Sequence, residues 1–215
     1  MNWPLIFFSF FLVLDSFAAE GQEEVFFFGG MGAGTAEVNC WIRSAQTQAG
    51  EKYHFHAGIP YPAGASSAKA SAIDKADQTI NQLAAFIDSN QQKNYLLIGH
   101  SSGTAISDAL ASRVKRNRNL RVVNLDGWVP SSSNLEKTLC VYAIGMNGKS
   151  SAGTESMNQC KHKYQIPASQ TEGCTNQWCL HFRTMNARSP SSVNGANMLT
   201  EGYKNCNANL IWLRN

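Results

Sequence analysis

Gly99-His100-Ser101-Ser102-Gly103 is the segment whose residue types and spacing best suit chemistry. It fits the G-x-S-x-G pattern, in which a serine stands on a sharp turn between a strand and a helix. An apolar strand-like segment, residues 95–98, precedes it, and a helical segment, residues 104–114, follows. Small residues two before and two after the serine let strand and helix approach closely, and Gly99 and Gly103 meet that steric need. The turn also sets Ser101 at the positive end of the following helix, where developing negative charge is favoured. Ser101 is therefore expected to act as a nucleophile. The plainer alternative is a turn serine that caps the helix.

A serine nucleophile needs a base and an acid to orient that base. Chains with this elbow keep the order serine, acid, histidine. After the helical Asp108 the remaining aspartate is Asp126, at the end of the apolar segment 121–125. The carboxyl end of a parallel strand is where sites form in open sheets. Glu155 is the alternative acid, well inside a polar loop, and Asp126-Gly127 also reads as a simple turn pair. Two histidines follow Asp126. His162 lies between Lys161 and Lys163, in a stretch that reads as a solvated loop, whereas His181 lies in the apolar run Trp178-Cys179-Leu180-His181-Phe182. A buried histidine needs a polar partner, which Asp126 would supply. His181 is thus the expected base, with a satisfied core histidine as the bland alternative.

A tetrahedral intermediate needs two backbone donors for its oxyanion. The glycine-rich run 29–34 after the first strand is suited to that task, and the amides of Met31 and Ser102 are the expected donors. A phosphate-binding turn is the competing reading, but the spacing matches neither G-x-G-x-x-G nor a P-loop lysine. Tyr61, Trp128 and Met146 are expected to contact an apolar acyl or aromatic part of a small-molecule substrate. His54 and His56 alternate with Phe55 on one strand and read as structural, an H-x-H pair without a credible third metal ligand. No metal and no other cofactor is expected.

These residues require a scaffold of alternating strands and helices. Strands are expected at residues 25–28, 53–57, 95–98, 121–125, 140–144 and 178–183. Helices are expected at 35–47, with Val38, Trp41, Ile42 and Ala45 on one face, at 68–89 with an apolar stripe, and at 104–114. Residues 145–177 read as loop, and 192–213 give a weak helical pattern. The expected fold class is α/β: a single domain with a mostly parallel sheet of about six strands, helices on both faces and no large lid. A length of 215 residues, 43% hydrophobic and 15% charged, suits one globular core.

The first residues read as an export signal. The apolar run 4–14 is followed by Ser16-Phe17-Ala18, small residues at the positions that precede a cleavage, so residues 1–18 would be removed and 19–215 would form the domain. That run is shorter than the ~20 residues that cross a bilayer, so no stable membrane anchor is expected after cleavage. Six cysteines (Cys40, Cys140, Cys160, Cys174, Cys179, Cys206) fit disulfides in an oxidising compartment, periplasmic or extracellular. They lack the CxxC spacing of a zinc site. A net charge of +3 with scattered basic residues gives no nucleic-acid footprint; the run Arg113, Lys115, Arg116, Arg118 reads as a solvated face.

Residues 25–34, 99–103, 122–126 and His181 together resemble the α/β-hydrolase superfamily, in particular its thioesterase-type and lipase-like members. The resemblance covers roughly residues 24–183. It implies a serine hydrolase acting on esters or thioesters through an acyl-enzyme, with the acid after the strand that follows the nucleophile. An acyltransferase using the same residues, a catalytically silent binding protein of the same fold and a nucleotide-binding α/β domain are the other readings. Two departures stand out: the sheet is shortened at its start, and the connection 127–138 is too short for a large lid, which argues against a buried long-chain lipid pocket.

Overall fold

The computed structural model describes residues 21–151 and 158–214. The expected export signal and Glu155 lie outside the described residues. Six parallel strands form one sheet: β1 (Glu23–Phe28), β2 (Tyr53–Phe55), β3 (Asn94–His100), β4 (Leu120–Leu125), β5 (Thr138–Ala143) and β6 (His162–Ile166), in the order β2-β1-β3-β4-β5-β6. The six helices described are α1 (Thr35–Ala49), α2 (Lys69–Lys75), α3 (Asp77–Ser89), α4 (Gly103–Arg113), α5 (Gln177–Arg183) and α6 (Met198–Lys204). No helix among the described residues is long and apolar enough to cross a membrane.

The central strands β1, β3 and β4 are buried on both faces, as parallel strands with crossover helices must be, and their apolar residues divide by the period of two. Val25 and Phe27 of β1, Leu96 and Ile98 of β3, and Val123 and Leu125 of β4 face α1, α5 and the C-terminal segment. Phe26 and Phe28, Tyr95 and Leu97, and Leu120 and Val122 face α2, α3 and α4. Trp41 anchors the first layer: it stacks on Phe27 with ring centroids 4.1 Å apart, and its indole N–H donates to the Met185 carbonyl at 2.8 Å.

All six cysteines are paired. Cys40–Cys206 ties α1 to the C-terminal segment, Cys140–Cys160 ties β5 to the approach to β6, and Cys174–Cys179 closes the turn that enters α5.

Three expectations change. The run 178–183 is helix, not strand. Asn176 caps it, its side-chain oxygen accepting from the backbone of Trp178 at 3.0 Å and Cys179 at 2.9 Å; a five-residue apolar run fits either element, and the cap decides. The sixth strand is instead 162–166, whose exposed polar residues hide it from a hydrophobic pattern because it is an edge strand. The helix expected over 68–89 is broken at Ala76 (φ −94°, ψ 0°), a residue with no helix-breaking chemistry. Before the break, the Lys69 ammonium at the start of α2 reaches Asp108 and the Val129 carbonyl, each at 3.1 Å.

Replacing Trp41 by alanine removes a fully buried ring and the hydrogen bond from α1 to the Met185 carbonyl. A loss of about 3–5 kcal/mol is expected, read as a lower midpoint in urea unfolding with disulfides intact.

Candidate active site

The carboxyl edge of the sheet collects the residues that the sequence singled out. Ser101 follows β3 with φ 53° and Asp126 follows β4 with φ 52°; among the described residues these are the two non-glycine positions with positive φ. Such backbone costs about 1–3 kcal/mol each and persists where its surroundings enforce it. Here the enforcement is continued strand pairing: Ser101 N–H donates to the Leu125 carbonyl and Asp126 N–H to the Val141 carbonyl, each at 3.0 Å. Glycine is required on either side of the serine. A Cβ on Gly99 would come within 2.6 Å of the Thr104 Cα, and one on Gly103 within 2.6 Å of the Gly29 carbonyl oxygen.

Asp126 is fully enclosed and His181 nearly so. His181, on α5, brings Nδ1 to 2.5 Å from Asp126 Oδ2, and Ser151 Oγ donates to Oδ1 of the same carboxylate at 2.6 Å. Ser151 in turn accepts from the Ala143 amide, so the carboxylate is anchored to the end of β5. The His181 ring is walled by Trp178, Phe182 and His100. Ser101, Asp126 and His181 line one cavity of about 300 Å³, together with Met31, Ser102 and Trp128. That volume lies at the lower end of the range for small-molecule sites.

The glycine-rich loop after β1 lies against the elbow. A Cβ on Gly30 would come within 2.6 Å of the Ser101 Cβ and 2.8 Å of the His100 carbonyl. The contact is fixed by Tyr203 of α6, which sequence reasoning missed. Its hydroxyl accepts from Gly30 N–H at 2.7 Å and stands 2.7 Å from His100 Nδ1, while His100 Nε2 lies 3.4 Å from the His181 carbonyl. A carbonyl only accepts, so Nε2 carries the proton of His100, and Nδ1 accepts from Tyr203. Burial pushes the His100 pKa well below its ordinary value, and the nearby His181 pushes it the same way, in keeping with a neutral ring. Burial also drives the Tyr203 phenol upward, so it stays protonated. The weak helical pattern of residues 192–213 covers Tyr203 but does not single it out.

The remaining expected residues divide. Trp128 lines the cavity and is partly exposed. Tyr61 reaches the Ser102 side chain but does not wall the cavity; its hydroxyl donates to the Ser66 carbonyl at 2.5 Å. Met146 is 79% exposed on the turn after β5 and is likewise not part of the wall. His162 begins β6, in register with Leu139, at the amino end of the sheet and away from Ser101. His54 and His56 do have a third potential ligand, Glu24 of β1, so the expectation that none exists is corrected.

The strand order, with the glycine-rich loop after β1 and the positive-φ serine between β3 and α4, is that of the α/β-hydrolase fold. Solved structures similar to the chain include an extracellular α/β-hydrolase from a Paenibacillus species (15% identity, 51% of this chain and 42% of that one, TM-score 0.36). Others are a lipase-esterase related protein from Clostridium acetobutylicum (22% identity, 56% and 50%, TM-score 0.35) and Arabidopsis thaliana SOBER1 (14% identity, 75% and 99%, TM-score 0.38). The chain thus spans half or less of the length of the first two. No protein-family model and no curated protein sequence matches it.

Replacing Tyr203 by phenylalanine would leave the Gly30 amide and His100 Nδ1 buried without their partner. A stability loss of about 1–3 kcal/mol and faster hydrogen exchange at the Gly30 amide are expected; unchanged protection of that amide would show that the phenol does not hold the loop.

Proposed function

We propose that the chain is a secreted serine hydrolase that cleaves a small ester or thioester through an acyl-enzyme on Ser101. The observation that carries this reading is the Asp126–His181 hydrogen bond, in the same cavity as a serine held at positive φ on a glycine-flanked elbow. With Nδ1 given to Asp126, Nε2 of His181 is the nitrogen left to take a proton from Ser101 as Oγ attacks the carbonyl carbon. The proton then passes to the departing alcohol or thiol, and the acyl group remains on Oγ. In the second half-reaction His181 takes a proton from water, the hydroxide adds to the acyl carbon, and Ser101 recovers its proton as the acid leaves.

The amides of Met31 and Ser102 would receive the oxyanion. Both residues line the cavity, and the packing of Gly30 against Ser101 brings the loop after β1 close to the reacting carbon. One such donor is worth about 2.7–4 kcal/mol in the transition state. Trp128, Trp178, Phe182, Met198 and Leu199 give the cavity an apolar wall, suited to a short acyl or aromatic group. Three disulfides fit an oxidising compartment, and residues 1–18 are proposed as the export signal.

A fluorophosphonate probe tests the nucleophile: wild type should be labelled at Ser101 and Ser101→Ala should not. Equal labelling of the two proteins would remove Ser101 from its role. The base is tested separately with a short-chain nitrophenyl ester. His181→Ala should lose nearly all turnover while His162→Ala keeps most of it, and the reverse result would reassign the histidine.

A further inference from the structure

At the amino end of the sheet, opposite the cavity, Glu24 of β1 is the register partner of His54 on β2. His56, two residues on, projects from the same face of the edge strand. His54 Nδ1 lies 2.8 Å and His56 Nε2 2.7 Å from the same oxygen, Glu24 Oε2. The three ligand atoms fall within 4.8 Å of one another. The other oxygen, Oε1, accepts from the Lys93 ammonium at 2.6 Å.

We propose that His54, His56 and Glu24 bind a divalent transition-metal ion of the zinc class. Two imidazole nitrogens and one carboxylate oxygen are a donor set such ions favour, with water completing a tetrahedron. Lys93 already compensates the charge of Glu24, so the imidazoles are not needed to neutralise it. Each ring brings one nitrogen to Glu24 Oε2, where it donates N–H, and the same nitrogen offers the ion a lone pair once that proton moves to the other ring nitrogen or to solvent. Lys93 occupies only Oε1 and orients the carboxylate, the part that hydrogen-bonded outer partners play for metal-binding carboxylates.

Access and rigidity also suit the ion. The carboxylate is buried, but the His54 side chain keeps 31% exposure, leaving a solvent side for the ion and its water. The His56 ring is stacked flat on Phe26, with centroids 4.2 Å apart, so its orientation is fixed before any ion arrives. Ligands at about 2.0–2.2 Å from a tetrahedral centre would stand farther apart than the present N···O contacts. A small rotation of the Glu24 and His54 side chains supplies the difference. The ion would pin β2, a three-residue edge strand, to the first strand of the core.

The full chain, stripped with chelator, is titrated with Zn²⁺ by calorimetry and with Co²⁺ by its visible absorption, and its thermal midpoint is read with and without Zn²⁺. One equivalent should bind, with the absorption of tetrahedral cobalt and a raised midpoint. His54→Ala and His56→Ala should each weaken Zn²⁺ by at least about 10- to 100-fold, the loss that follows removal of even an outer partner. His181→Ala should bind as wild type does. Absence of binding to wild type, or binding that survives His54→Ala and disappears in His181→Ala, would overturn the assignment. His54 is partly exposed and tests the site without emptying the core, and ester turnover by His54→Ala should match wild type.

Discussion

The site depends on one constraint of the backbone: two adjacent parallel strands each end in a residue of left-handed conformation. β3 hands over to Ser101 and β4 to Asp126, and the amide of each donates to the neighbouring strand. Because β3 and β4 pair in register from Tyr95 with Leu120 to His100 with Leu125, the two turns fall at the same height on the sheet. The hydroxyl and the carboxylate therefore reach one edge without any loop having to carry them there. The cost of two unfavourable φ values is met by the sheet, the most deeply buried part of the chain.

The imidazole arrives differently. It comes from α5, a seven-residue helix outside the sheet, and needs its own supports. Asn176 caps the helix and Cys174–Cys179 closes the turn before it. Beyond the Asp126 contact, His100 reaches the His181 carbonyl with one nitrogen and Tyr203 with the other. Tyr203 extends the chain to the Gly30 amide. Elbow, histidine helix and glycine-rich loop are thereby joined through two neutral buried side chains. A buried polar chain of this kind is stable only when every member has a partner, and each of these does.

The parts legible in the sequence were those governed by local rules. Glycines flanking Ser101, apolar runs ending at Asp126, and the alternation of strands and helices all reflect steric and burial demands that act within a few residues. What escaped was set by distant pairing. β6 carries exposed polar residues because one edge is free, so its strand character exists only beside β5. The helix 177–183 was obscured by a short apolar run whose period is ambiguous, and its asparagine cap was the signal available. Tyr203 lies in a weakly helical tail and Ser151 in a loop, and both gain meaning from Gly30, His100 and Asp126, far away along the chain. Glu24 is the sharpest case. The two histidines were visible at i and i+2, but only the register of β1 on β2 brings the carboxylate between them.

Asp108, which the sequence offered merely as a helical residue, explains why the cavity keeps its shape. Buried on α4, its carboxylate accepts from the Ser131 amide at 3.0 and 3.1 Å, from Asn134 Nδ2 at 2.6 Å and from Lys69 Nζ at 3.1 Å. These bonds pin the connection after β4, and Trp128 stands within that connection, its own amide donating to Thr104 Oγ1 at 2.8 Å. The facing wall, Met198 and Leu199, belongs to the C-terminal segment that Cys206 fastens to α1. A polar cluster thus holds one wall and a covalent bond tethers the other, so the separation of the walls is set by the fold. An occupant of such a cavity is selected by size before chemistry, because widening the space would mean breaking a buried carboxylate network or stretching a cross-linked tail.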